Sequence, residues 1–541
     1  MPLFFVIFKR LCYYCLHMKN FCLKHKRLLI DIAVLLSVFI FVAASYFVFK
    51  PLYFKGATGL GSFDGVFNRF FTYGSILVLV GVGIFLKIKN KLTFEVLLFL
   101  LFILGVILQL NYMLMTPYNY RQHDVVTDYM DGHEAYAWTL YTTGKLPTTV
   151  DSNGYLAYQF YHPPLNAFIQ SIWMHICKGI MQIGNAITGK AIYDVDDMHT
   201  LFQTSEILSC FYMNVAIYFG IKIAYKLKVE NKFKVFGVLF IALFPALILL
   251  AGQENNDPLC IMNCFIVLYF TICWWENHSY FNAIMIGLFT GLAMMAKLSG
   301  ALVILPAIVA FIFVFIQLLR KKESVLHLVL QGVIIALIAS PLGLWFHIYA
   351  KIRFNQPFGF VFSNLNEGLY VGNHSFFARF INIFDFKDLT YSLWGNTFEN
   401  YNLPNFLIKS AIFGEYSFIG GDPLAVFALL FHYLFTYLSL ILMVIYFIKS
   451  GKEHLEVKII AGTLIVTQLV AQLYFNIKMP YGCTMDFRYI VPIIVGFMIL
   501  DALAVDKFSK ESNWKKYFSY TVVIIGLLFI ASTTAFYLVA F

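Results

Sequence analysis

Long apolar runs separated by short polar turns make up most of this chain. Runs of about 20 apolar residues, the length a helix needs to cross a hydrocarbon core, fall near 28–49, 71–87, 94–115, 203–224, 235–251, 258–275, 281–296, 300–318, 326–349, 424–448, 457–477, 487–504 and 517–540. They predict an all-α polytopic membrane protein with about 13 transmembrane helices. A further run, 163–185, is apolar enough to cross, but a crossing there would invert the side of every later basic loop. It is read as a juxtamembrane or partly inserted helix. A basic leader (1–27) precedes a single transmembrane domain (28–541) whose two sizeable outer loops are 116–160 and 350–423. The leader makes the first run a permanent anchor rather than a cleaved signal.

Basic residues test this threading. Lys9, Arg10, Lys19, Lys24, Lys26 and Arg27 precede the first span, and Lys87, Lys89 and Lys91 follow the second. Arg320 to Lys322, Lys449 to Lys458 and Lys507 to Lys516 then fall on the same side by counting spans, which makes that side, and the N-terminus, cytoplasmic.

Composition agrees. With 60% hydrophobic and 13% charged residues among 541, there is too little polar surface for a soluble globule. The net charge of +10 is dispersed in the cytoplasmic turns, so it implies topology rather than a nucleic-acid partner. Nine cysteines, most in or beside apolar runs, give no disulfide framework, and Cys12 and Cys15 lack the second ligand pair of a metal motif.

Candidate chemistry collects in the outer segments. The first outer loop carries Asp124, Asp128 and Asp131, at i, i+4 and i+7 if helical, followed by His133, Glu134 and Tyr136. Clustered like charges raise one another's pKa, which suits a general base or a cation site. Asp131 and Glu134 also have the spacing of a capping box opening a helix over 133–143 and ending at Gly144. Tyr161-His162-Pro163-Pro164-Leu165 opens the next apolar segment. Ionisable residues stand at other outer span ends: Glu254 to Asp257, Lys297, and Asp486 with Arg488. Each alone reads as an interfacial residue; three such turns facing the acidic loop suggest a shared site.

The acidic loop, the His162-Pro163-Pro164-Leu165 segment, Gly291 to Gly300 with Lys297, and Phe487-Arg488-Tyr489-Ile-Val-Pro492 together resemble the GT-C superfamily of integral-membrane glycosyltransferases. The similarity runs from about residue 94 to 500 and points to the protein mannosyltransferase and aminoarabinose transferase branch. Lys409 to Glu415 is also similar to a stretch found in bacterial members. The family often has adjacent acids in the first loop, whereas here they are split, leaving Asp131, Glu134 and Asp128 as candidates for the catalytic carboxylate; the spacing to the following helix favours Asp131.

The resemblance implies an inverting transfer from a polyprenyl-phosphate-sugar donor to a glycan, lipid or protein acceptor on the non-cytoplasmic face. His162, Lys297 and Arg488 would hold the donor phosphate, with Tyr136, Tyr161, Asp257 and Asp486 binding substrate. Carboxylates with water also suit Mg²⁺ or Mn²⁺, although the sequence requires no metal. A bacterial plasma membrane is the implied setting, or the endoplasmic reticulum if the Asn373-His-Ser375 sequon is used. The rivals are a transporter or flippase, for which mid-membrane polar residues and inverted repeats are expected, and a non-catalytic scaffold subunit.

Overall fold

The computed structural model describes residues 26–54, 64–116, 132–361, 369–383, 401–414 and 423–540. Asp124, Asp128, Asp131 and Glu415 lie outside them, as do Cys12, Cys15 and most of the basic leader. The described residues are helical almost throughout, with only the isolated bridges Val150 to Leu156 and Tyr370 to Tyr481 in place of strands.

The helices run α1 (Lys26–Phe54), α2 (Asp64–Ile88), α3 (Phe94–Met115), α4 (His133–Thr143), α5 (Leu165–Thr188), α6 (Met198–Gln203), α7 (Glu206–Lys226), α8 (Asn231–Ala242), α9 (Pro245–Leu250), α10 (Asp257–Glu276), α11 (Tyr280–Ala296), α12 (Ile304–Lys321) and α13 (Leu326–Phe354). After these come α14 (Phe376–Phe380), α15 (Leu403–Phe413), α16 (Pro423–Lys449), α17 (Leu455–Lys478), α18 (Ile493–Ser509) and α19 (Trp514–Ala540). Among the described residues ten helical stretches are long and apolar enough to cross a membrane, which makes this an integral multi-pass membrane protein. The other three predicted spans form shorter helices. The 235–251 run breaks where Pro245 opens α9, because proline is at home in a first turn but not in a helix interior. Helices α11 and α18 have 17 residues each.

The predicted juxtamembrane segment is α5, a 24-residue helix outside that set of ten. Its buried side carries Asn166, Gln170 and Ser171, whereas Ile172, Ile176, Ile180, Ile183 and Ile187 are exposed. Three polar groups thus point into the protein beside Trp173, Met174 and Cys177, while a row of isoleucines faces outward.

Helix α11 packs most extensively on α13, and also on α10. Small residues allow this close approach. A Cβ on Gly343 would lie 2.7 Å from Met294, and one on Gly291 2.9 Å from Leu342. Trp274 of α10 stacks on Phe311 with centroids 3.7 Å apart and donates its indole N–H to Gln331 of α13 at 2.7 Å. This scaffold presents the N-terminus of α10 and the C-terminus of α11 side by side. Both carry candidate site residues.

Candidate functional site

Helix α4 starts from Gly132 in extended conformation and stops at Gly144, whose φ of 65° is left-handed backbone that glycine adopts without strain. The helix forms over the predicted residues, while Asp131, the other half of the predicted capping box, lies outside the described residues. Gly132 stands at the N-cap, and the Glu134 carboxylate turns away to His199. His199 Nδ1 lies 2.9 Å from one Glu134 oxygen and 3.0 Å from the other. Asp197 caps α6 by accepting Thr200 N–H at 2.7 Å, which places His199 in its first turn. Glu134 is only 2% exposed. Burial pushes its pKa up to about 7, with His199 acting in the opposite direction and Asp197 reinforcing the rise.

The histidine-proline segment packs onto the same helix. The rings of His133 and His162 stack at 5.6 Å, Tyr161 lies 4.1 Å from His162, and the Tyr136 hydroxyl donates to the His162 carbonyl at 3.3 Å. From α5, Asn166 donates to the Asn255 carbonyl at 3.1 Å and Gln170 to the Glu254 carbonyl at 3.2 Å. The 254–257 turn is thereby fastened beneath α4 and α5. Glu254 is fully buried, and burial with Glu206 and Glu134 nearby raises its pKa.

The same turn leads to the cations. Asn256 donates to the Ala296 carbonyl at 3.1 Å, and Asp257 Oδ1 accepts from Lys297 Nζ at 2.5 Å. The other Asp257 oxygen lies 3.8 Å from Arg488 Nε. Lys297 sits 4.4 Å from the centroid of the Tyr489 ring. Asp486 accepts the Arg488 backbone N–H at 2.8 Å, and burial raises its pKa to about 6 against the pull of Arg488. Ser410 accepts from Phe487 N–H at 2.9 Å, bringing in α15, where the neighbouring Lys409 is buried. Gly300 permits the tight reversal after Lys297, because a Cβ there would lie 2.6 Å from the Ala293 backbone.

Sequence reasoning anticipated most of these groups. Glu134, Tyr136, Tyr161 and His162 gather about the start of α4, and Asp257, Lys297, Asp486 and Arg488 gather about the N-terminus of α10. Tyr136 and Met295, two residues before Lys297, share one buried cluster. Three residues were missed. His199 meets Glu134 across 65 residues, and no spacing rule signals that. Lys50 forms a buried ion pair with Glu206 at 2.8 Å and donates to the Met113 and Thr116 carbonyls. A lysine at the end of the first span opposite the basic leader, and an acid inside the 203–224 run, were the signals that could have found that pair. Beside it opens a cavity of about 190 Å³, lined in part by Tyr46, Lys50, Tyr193, Thr200 and Gln203. Among the described residues no group of three His, Cys, Asp or Glu is placed to hold a metal ion.

Helices α6 to α12 and most of α13, with the turns bearing Asp257 and Lys297, occupy the stretch matched in the family comparison. Residues 197–345 match the family model described as dolichyl-phosphate-mannose-protein mannosyltransferase. The likeness agrees with the GT-C resemblance read from the sequence. It takes in His199, Glu206, Glu254, Asp257 and Lys297, whereas Glu134, His162 and Arg488 lie outside the matched stretch. No curated protein matches the chain. Among solved structures, ArnT from Cupriavidus metallidurans bound to undecaprenyl phosphate is similar at 12% identity and a TM-score of 0.43, covering 81% of this chain and 76% of that one. The apo form of the same enzyme is similar at 13% identity, again with a TM-score of 0.43, covering 86% and 76%.

Proposed function

We propose that this protein is a glycosyltransferase that moves a sugar from a polyprenyl-phosphate carrier to a hydroxyl of a glycan, lipid or protein acceptor. The match over residues 197–345 supports the reaction class. The observation that carries the reading is that one turn, 254–257, has neighbours of both kinds, a buried carboxylate and a pair of cations. Glu134 acts electrostatically on Glu254 at the start of that turn, and Asp257 at its end accepts from Lys297 and lies 3.8 Å from Arg488 Nε.

The chemistry needs both halves. An acceptor hydroxyl must lose its proton as it attacks the anomeric carbon, and a carboxylate in this position serves as general base. Asp131 and Glu134 are the candidates, with Asp128 behind them. Attack from the face opposite the phosphate inverts the anomeric centre. The departing polyprenyl phosphate gains charge, which Lys297 and Arg488 offset and His162 supports. Asp257 and Asp486 hold those cations in place, and Tyr136 and Tyr161 provide ring surface for a sugar. The basic cytoplasmic turns favour the non-cytoplasmic face, and the resemblance favours a bacterial plasma membrane.

Purified protein in lipid nanodiscs, incubated with a panel of radiolabelled polyprenyl-phosphate sugars, tests the reading by release of polyprenyl phosphate. Turnover of at least one donor, lost in Arg488→Ala and in Asp131→Asn or Glu134→Gln with folding retained, is the expected result. Turnover of none by the folded wild type, or unchanged turnover in all three variants, refutes it.

A further inference from the structure

Among the described residues, His199 contacts both oxygens of Glu134, at 2.9 and 3.0 Å. A ring N–H shared between two carboxylate oxygens fixes the plane of the carboxylate as well as its position. The imidazole is itself anchored. Asp197 accepts from both the backbone N–H and the hydroxyl of Thr200 at 2.7 Å, and Trp173 of α5 donates to the Thr204 carbonyl at 2.9 Å. Helix α6 is thus docked on α5, and it also contacts α4. The His199 side chain is 50% exposed while that of Glu134 is 3% exposed, so the pair runs from the interior of the site toward its surface.

Two other charged groups among the described residues oppose the ionisation of Glu134. Asp197 faces it from the α6 turn and Glu254 from the 254–257 turn, and burial acts in the same sense. His133 and His162 stack on one another at the start of α4 and the end of the histidine-proline segment. On α5 the charged group is Lys178, which pairs with Asp196 at 2.8 Å. Among the described residues His199 favours the charged carboxylate.

We propose that His199 is a positioning residue for sugar transfer: it donates Nδ1–H to Glu134, holding that carboxylate in one orientation as an acceptor for the proton of the incoming hydroxyl. The inference rests on the glycosyltransferase reading above. In the step it serves, the hydroxyl proton passes to Glu134 and the acceptor oxygen bonds to the anomeric carbon. The anomeric C–O bond breaks, and its electron pair leaves on the phosphate. His199 makes no bond to substrate.

Two readouts on full-length protein in nanodiscs test it. In donor turnover, His199→Ala should lower kcat about 10²-fold, the scale of one misplaced base, with the KM for donor little changed. Removing the histidine removes the influence that favours ionised Glu134, so the acid limb of the kcat profile moves to higher pH. His199→Gln, which keeps an N–H donor, should recover most of the loss, and His199→Ala with Glu134→Gln should be no slower than Glu134→Gln alone. The second readout needs no substrate. The infrared band of the protonated Glu134 carboxyl, assigned by its loss in Glu134→Gln, should persist to higher pH in His199→Ala than in wild type. An unshifted band and pH profile, additive losses in the double variant, or full activity of Glu134→Gln overturns the proposal. A wild type that turns over no donor sinks the glycosyltransferase reading, and with it the catalytic role of His199; a shifted band would then report only the contact.

Discussion

Lys50→Met puts a number on the least expected feature of the site. Lys50 and Glu206 are both buried, at 1% and 0% side-chain exposure, and 2.8 Å apart. The ammonium also donates to the carbonyls of Met113 and Thr116. Replacing it with methionine keeps most of the stem volume but leaves Glu206 buried without its cation, a change that costs about 3–5 kcal/mol. Lys50→Met combined with Glu206→Leu removes both charges. Only the two carbonyls then lack their donor, at about 1 kcal/mol each, so the double variant should recover roughly half of the loss. Equilibrium unfolding in mixed lipid and detergent micelles measures both. Thr116 immediately precedes the 117–131 segment that carries Asp131, so donor turnover should fall in the single variant even where it remains folded. A single variant within about 1 kcal/mol of wild type, or a double variant less stable than the single, refutes the reasoning.

The remaining predictions address the catalytic chemistry. Burial raises Glu134 to about 7, and a base must be deprotonated to act. Turnover should therefore fall as pH drops through about 7, and a kcat profile flat across that range would exclude Glu134 as the base. Lys297→Ala should cost on the order of 10²–10³ in kcat by removing charge stabilisation of the departing phosphate; a change confined to KM would make it a binding residue only. Arg488→Lys should not restore Arg488→Ala fully, because a point charge does not reproduce the planar fork, as donor kinetics of the two variants will report. Gly300→Ala forces a Cβ to 2.6 Å from the Ala293 backbone. It should cost about 1–3 kcal/mol in unfolding and reduce turnover by displacing Lys297.

The membrane architecture was legible because apolar run length is a direct signal for helices that must satisfy their backbone internally. All 13 predicted spans are helical, although 235–251, 281–296 and 487–504 lie in helices shorter than the ten stretches long enough to cross. Pro245 marked the break in the first of these, and its position in mid-run was the available clue. Lys297, Arg488 and Asp257 could be picked out because a charge at the end of an apolar run is costly and therefore informative. Their pairing could not, since contacts between residues 40 apart or more depend on how α10, α11 and the 486–489 turn pack. The partner of Glu134 was hidden for a related reason. Local spacing sees only the helix start, whereas Glu134 is drawn to His199 by a tertiary contact.

The central claim is that the Glu134 carboxylate and the Lys297 and Arg488 cations serve one bound donor. An electron-microscopy map of the nanodisc-embedded protein with a non-hydrolysable polyprenyl-phosphate sugar analogue tests it most directly. The account predicts phosphate density within hydrogen-bond reach of Lys297 and Arg488, with the sugar ring extending toward Glu134. Phosphate density held by other residues, with Glu134 remote from the sugar, would contradict it.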